Sequence, residues 1–293
     1  MGRRIAIELL LLLMGITGHS QGLMLSELLY HARSGEAEYV ELYNHSSYAV
    51  ELSDYQIVRW LHDTLGNSYS LPTHTVAAHD YVVLTRNMQS VTSNYHVEYP
   101  GKMVECNLPP YPNDGGSVIL TLSNGTLVER LDYAPAMQSS LLRNKAGVAL
   151  ERRSFDEPCN NKSNWFSASS VAGYGTPTYA NSQSNERLIE ENSVELSSTL
   201  VSPDGDGYQD DLTISYQLET NDLYAHITLY NSRGQRVIEL LDNASLGTHG
   251  ILTWDGKGTG GKQLPKGRYI LVFNIYNNAG THQQFKRTVS LVD

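Results

Sequence analysis

The densest set of candidate ligands is Asp204, Asp206, Asp210 and Asp211, four carboxylates within Asp-Gly-Asp-Gly-Tyr-Gln-Asp-Asp. Hard carboxylate oxygens crowded on a glycine-rich turn are what Ca²⁺ takes as ligands. An EF-hand would add a glutamate at its twelfth position and two flanking helices, and this stretch has neither. The favoured reading is an Asx-type turn, whose side chains accept backbone N–H groups and start a strand at Leu212. A calcium site at these four residues is the alternative, and no other cofactor is expected.

Cys106 and Cys159 are the only two cysteines. In an exported chain an even pair points to a disulfide. Closing a loop of that size would stabilise the fold by about 4 kcal/mol in the chain-entropy picture. Among the ten histidines, His62-Asp63 and His79-Asp80 suggest a general base or a metal ligand. Neighbours on a strand point to opposite faces, so neither pair can chelate together. Neither belongs to a zinc-protease or nucleophile-elbow motif. Nineteen tyrosines against four phenylalanines suit half-wet sheet faces. Tyr95, Tyr99 and Tyr111, on a proline-rich loop, are the expected binding surface, where rings could stack on a sugar or a peptide.

The elements that must position these residues are strands. From Leu23 onward, short alternating segments recur about every ten residues between turn signals, the pattern of an all-β sandwich. Leu23–Tyr30, Glu38–Tyr43, Tyr48–Trp60, Tyr81–Thr85, Ser117–Ser123 and Thr126–Tyr133 fit this pattern. Asn124-Gly125 predicts a type I′ hairpin turn between the last two. Residues 88–116, with four prolines, read as an excursion over one end of the sandwich. A polar, acidic stretch over 183–198 reads as a linker, with Asn185–Asn192 the best helical candidate. A second series follows, at Asp211–Leu218, Ala225–Asn231, Arg236–Asp242, Gly250–Trp254, Arg268–Asn277 and Thr281–Leu291.

Before all of this, Arg3 and Arg4 precede an apolar run and then small residues to Ser20, the layout of a secretory signal peptide over 1–20. The net charge of −10 argues against a protein that clamps nucleic acid through its phosphates. After the start no passage is long and apolar enough for a membrane-spanning helix.

Two resemblances sharpen this outline. Leu25-Ser-Glu-Leu-Leu-Tyr30, Glu38-Tyr-Val-Glu-Leu-Tyr-Asn44, Val50-Glu-Leu-Ser-Asp-Tyr55, Leu150-Glu-Arg-Arg153 and the tail from Asn164-Trp-Phe through Gly175-Thr-Pro177 to Asn181 resemble the lamin-tail domain over 22–182. The resemblance implies an immunoglobulin-like sandwich with adhesive or scaffolding roles and no catalytic residues. In it Val40 and Leu42 point inward, Glu41 and Tyr43 face out, and Trp165 plugs one end. Ser202-Pro-Asp-Gly-Asp-Gly207, Ile227-Thr-Leu-Tyr-Asn-Ser-Arg-Gly234, Thr253-Trp-Asp-Gly256 and Leu264-Pro-Lys-Gly-Arg-Tyr269 resemble the immunoglobulin-like module of flagellar hook-capping proteins and of type IX sorting domains, over 195–293. Lys286 and Arg287 fit a sorting signal, whereas Ser290-Leu-Val-Asp293 lacks its terminal basic residue.

The expectation is therefore an all-β protein of two immunoglobulin-like β-sandwiches in tandem: 1–20 signal peptide, 21–182 first sandwich, 183–198 linker, 199–293 second sandwich. It would be exported and non-catalytic, secreted or held on the surface of a Gram-negative cell, with the periplasm as the fallback. The expected partner is an envelope or extracellular protein or glycan. A calcium-assisted glycan-binding module and a small secreted hydrolase are the rival readings.

Overall fold

The computed structural model describes residues 22–61, 64–185 and 191–292. The expected signal peptide, His62-Asp63 and most of the helical candidate at 185–192 lie outside the described residues. The first domain contains β1 (Leu23–Leu29), β2 (Tyr39–Asn44), β3 (Val50–Glu51), β4 (Tyr55–Leu61), β5 (Thr64–Ser70), β6 (Thr75–Val76) and β7 (Tyr81–Thr85). Helix α1 (Met88–Asn94) follows, then β8 (Met103–Glu105), β9 (Gly116–Leu122), β10 (Leu127–Tyr133), β11 (Leu150–Arg152) and β12 (Trp165–Ser167). The second contains β13 (Ser193–Leu196), β14 (Leu200–Val201), β15 (Leu212–Gln217), β16 (Tyr224–Asn231), β17 (Arg236–Ser245), β18 (His249–Trp254), β19 (Gly267–Tyr276) and β20 (His282–Leu291). The chain is all-β, with α1 the one α-helix among the described residues.

In the first domain a six-stranded sheet, β12-β11-β1-β2-β7-β8, faces a four-stranded sheet, β10-β9-β4-β5. Alternation puts Val40 and Leu42 of β2 between the sheets with Leu25, Leu28, Ile57, Val118, Leu120 and Leu131. Every residue of β1 is buried, which a two-layer sandwich cannot explain. A third layer accounts for it. Helix α1 and residues 168–183 lie over the outer face of the large sheet, closing a second apolar cluster of Leu29, Tyr39, Val83, Val91, Tyr95 and Ala168. The helix falls inside the proline-rich excursion, where it was not expected. Asn87 caps it, accepting the Ser90 N–H at 3.0 Å.

The second domain packs β13-β15-β18 against β14-β20-β19-β16-β17. Leu271, Phe273 and Ile275 of β19 meet Ile214, Tyr216 and Trp254 in its core. Strand β13 lies within the stretch expected to be linker, because Val194 pairs with Tyr216 and is fully buried.

The hairpin at Asn124-Gly125 forms, but its turn is of another type. Only Gly125 has positive φ, at 87°, and its N–H reaches the Leu122 carbonyl at 2.8 Å while Leu122 N–H reaches that of Thr126. This is a three-residue loop with glycine in the left-handed position, and Asn124 accepts the Thr126 N–H instead of adopting positive φ itself.

Candidate functional site

Three glutamates stand side by side on the outer face of the large sheet. Glu27 of β1 is directly opposite Glu151 of β11 on one flank and Glu41 of β2 on the other. Glu41 does face away from the sandwich core, as expected, but it is not wet: all three are fully buried. The strap formed by residues 168–183 covers them and supplies hydrogen bonds. Thr176 N–H donates to Glu27 Oε1 at 3.0 Å, and the Thr176 hydroxyl donates to Glu151 Oε1 at 2.9 Å. Thr178 N–H reaches Glu41 Oε2 at 2.6 Å; Ser182 Oγ and Gln183 N–H reach Glu151 Oε2 at 2.7 and 2.9 Å. Tyr39 Oη donates to Glu27 Oε1 at 2.7 Å from within the sheet. Asn181 fastens the strap further, donating to the carbonyls of Ser26 and Arg152.

Burial, followed by the neighbouring Glu151 charge, raises the Glu27 carboxyl to about 8. Burial likewise raises Glu41, with Glu27 adding to it, and raises Glu151 against four stabilising hydrogen bonds. Glu41 Oε1 has no partner at all. Burial therefore favours the protonated form across the row, and the row seats the strap.

The strap also carries the second domain. Ser169 Oγ and Ser170 N–H both donate to the Ser245 carbonyl at 3.0 Å, and Gln183 Nε2 donates to that of Leu246 at 2.9 Å. Thr248 N–H returns a bond to the Ser182 carbonyl at 2.8 Å. Gly247 sits so close that a Cβ there would lie 2.4 Å from Ser182 O. One segment thus serves both sandwiches.

Inside the first sandwich, Arg152 of β11 and Glu129 of β10 form a buried ion pair between the two sheets, 2.9 Å apart and both under 6% exposed. The guanidinium also donates to the carbonyls of Leu25, Ser154 and Glu157, and Leu25 N–H donates to Glu129 Oε2 at 2.7 Å. The pair was not foreseen, since an alternating strand pattern places Arg152 without naming its partner.

The residues singled out from sequence fare differently. Of the three tyrosines, Tyr95 and Tyr111 are buried, at 6% and 3% exposed. Tyr95 Oη donates to the Gly147 carbonyl and its ring stands edge-on to Tyr39. Only Tyr99 faces solvent, with Lys102 Nζ 3.9 Å from its ring centroid. They form no shared surface because α1 turns Tyr95 inward onto the sheet.

The disulfide expected between Cys106 and Cys159 is not formed; both thiols are free. Cys106 continues β8 at one edge of the large sheet, and Cys159 lies in the loop leading to β12 at the other. Cys159 packs beside Glu129 and Arg152, whereas Cys106 packs beside Tyr111, and the two are not bonded. Burial pushes the Cys106 thiol up to about 11 and Cys159 higher still. Trp165, expected to plug one end of the sandwich, is buried on the edge strand β12 and donates from Nε1 to the Cys159 carbonyl at 2.7 Å.

At the aspartate turn, Asp204, Asp206 and Asp210 bring carboxylate oxygens within 4.8 Å of one another, without Asp211. Asp210 accepts the N–H groups of Gly205 and Gly207 at 2.7 and 2.9 Å; Asp204 and Asp206 accept those two residues ahead of them. These are Asx-turn bonds.

The Lamin Tail Domain profile matches residues 17–135, and the CHU_C type IX secretion signal domain profile matches 194–291. The chain carries a lamin tail domain followed by a type IX secretion signal domain. Both families are non-catalytic in type, and the second marks an exported or cell-surface protein. The matched part of the lamin tail domain ends before β11, so Glu151, Arg152 and the strap lie beyond it.

No curated protein matches the chain. Among solved structures, PorZ, a surface component of the type IX secretion system of Porphyromonas gingivalis, is similar at 11% identity and a TM-score of 0.27, over 91% of this chain and 30% of that one. Dimeric latent PorU of the same organism is similar at 9% and 0.28, over 93% and 34%. CopC from Methylosinus trichosporium OB3b is similar at 17% and 0.20, over 28% and 74%. The chain spans about a third of the length of the two Porphyromonas proteins. No helix of the described residues is long and apolar enough to cross a membrane.

Proposed function

We propose that this protein is exported and works at the cell envelope as a structural or adhesive element, with its lamin tail domain as the presented body and its signal domain as the part that directs it there. The match of residues 194–291 to a type IX secretion signal domain carries this reading. The secretory character of residues 1–20 supports it. The buried groups of the first domain are engaged in holding layers together, through the glutamate row and the Arg152–Glu129 pair, which suits a scaffold more than a reaction site. Tyr99 and Lys102 mark the exposed loop end available to a protein or glycan partner.

Fractionating cells that express the full chain or a chain lacking residues 194–291 tests the proposal. The full chain should reach the surface or the medium, and the shortened chain should stop in the periplasm. Equal distribution of both, or retention of the full chain in the cytoplasm, would overturn it.

A further inference from the structure

On the outer face of the second domain's larger sheet, His226 of β16 lies beside Glu239 and Asp242 of β17. Three residues apart on a regular strand, two carboxylates point to opposite faces. Strand β17 is not regular. Ala225 pairs with Ala244 and Ile227 with Leu241, so His226 alone opposes Asp242 and Asn243, and Asn243 takes a φ of 50°. Thr228 then pairs with Glu239, leaving Leu240 as a second extra residue. Successive bulges of this kind re-aim side chains, and here they turn both carboxylates toward one imidazole.

The spacing is looser than a direct hydrogen-bonded pair. His226 Nε2 lies 3.4 Å from Glu239 Oε2, and Nδ1 lies 3.4 Å from Asp242 Oδ1. A charge-assisted hydrogen bond would close to about 2.8 Å. Two ligands on one metal with bonds of about 2.1 Å at the tetrahedral angle sit about 3.4 Å apart, which the Nε2–Glu239 spacing matches; Asp242, which faces the other ring nitrogen and is the most exposed of the three, must swing toward Nε2 to complete the site. One ligand atom from each of the three residues lies within 4.8 Å of the other two. One imidazole and two carboxylates are a ligand set for a borderline divalent ion, with a position left open. The side chains are 35%, 29% and 58% exposed, so an ion and a closing water can enter. Asp242 and Asn243 also line a cavity of about 290 Å³ between the two domains, together with Arg33 and Arg143.

We propose that His226, Glu239 and Asp242 bind a divalent transition-metal ion of the zinc type. Arg236 competes for the site, because its Nη1 lies 2.7 Å from the Glu239 oxygen that faces the ring. That pair is exposed and weak, so an ion displaces it at small cost.

Titrating ZnCl₂ calorimetrically into the untagged full chain at pH 7.5 tests the proposal. One site should appear. His226→Ala should weaken it at least a hundredfold and Glu239→Gln at least tenfold, while Arg236→Ala should tighten it, by no more than about fivefold. An Asp204→Asn, Asp206→Asn double variant should bind as the parent does, and far-ultraviolet circular dichroism should be unchanged throughout. Absence of binding, binding undiminished in His226→Ala, or loss of binding in the aspartate-turn variant would each overturn the site and leave the three residues as a surface charge cluster.

Discussion

Arg152 shows how much one side chain can be asked to do. It ends β11, crosses the sandwich to Glu129, and satisfies three carbonyls on the way. Replacing it with methionine leaves Glu129 buried without its cation, and removing one partner of such a pair costs about 3–5 kcal/mol. Urea unfolding of Arg152→Met should show a loss of that size; a loss under 1 kcal/mol would mean the pair is dispensable. The two cysteines make a simpler prediction. With Cys106 and Cys159 both free, unfolded protein prepared without reductant should present two reactive thiols to an alkylating agent. Finding none would restore the bridge.

The carboxyl groups of the glutamate row bind protons more tightly in the folded protein than in the unfolded chain, Glu27 holding its proton to about pH 8. Their contribution is fully present below the usual carboxylate range, near 4.5, and is lost as the pH rises through the folded value. The facing groups are Tyr39 on β2, Tyr95 after α1, and Tyr179 on the strap, none of which titrates in that window, each being raised by burial. Stability should therefore be lower at pH 8.5 than at pH 5.5 on account of this row, and Glu27→Gln should flatten the difference. An unchanged slope in that variant would place the protons elsewhere. The strap's grip on the second domain has its own test. Gly247→Ala pushes a methyl into Ser182 O, so amides of 169–184 should exchange faster with solvent while the two cores stay protected.

Alternating strands such as Tyr269 to Ile275 were legible because a half-buried sheet writes its period directly into the sequence. The third layer was not. Glu41 alternates with Val40 and Leu42 in the same way whether its face meets water or a strap, and only tertiary covering distinguishes the two. A carboxylate in the middle of each of β1, β2 and β11 was the available signal, but pairing order, which brings the three together, is not a local property. The bulges of β17 were hidden for the same reason: residues 239 and 242 read as opposite-facing until their partners on β16 are known.

Taken whole, the molecule is two sandwiches fastened by one shared strap, more closely joined than a string of domains would be. The signal domain is docked on the body it would direct, and the described apolar residues that remain large and exposed, such as Tyr48, Leu127, Ile251 and Ile270, are spread over both domains. Such a build suits the proposed structural role at the envelope. The most direct measurement is labelling of intact cells producing the full chain with an antibody against the lamin tail domain. Labelling that protease treatment of the intact cells removes is expected; a chain that is reached only after the cells are broken open would contradict surface exposure.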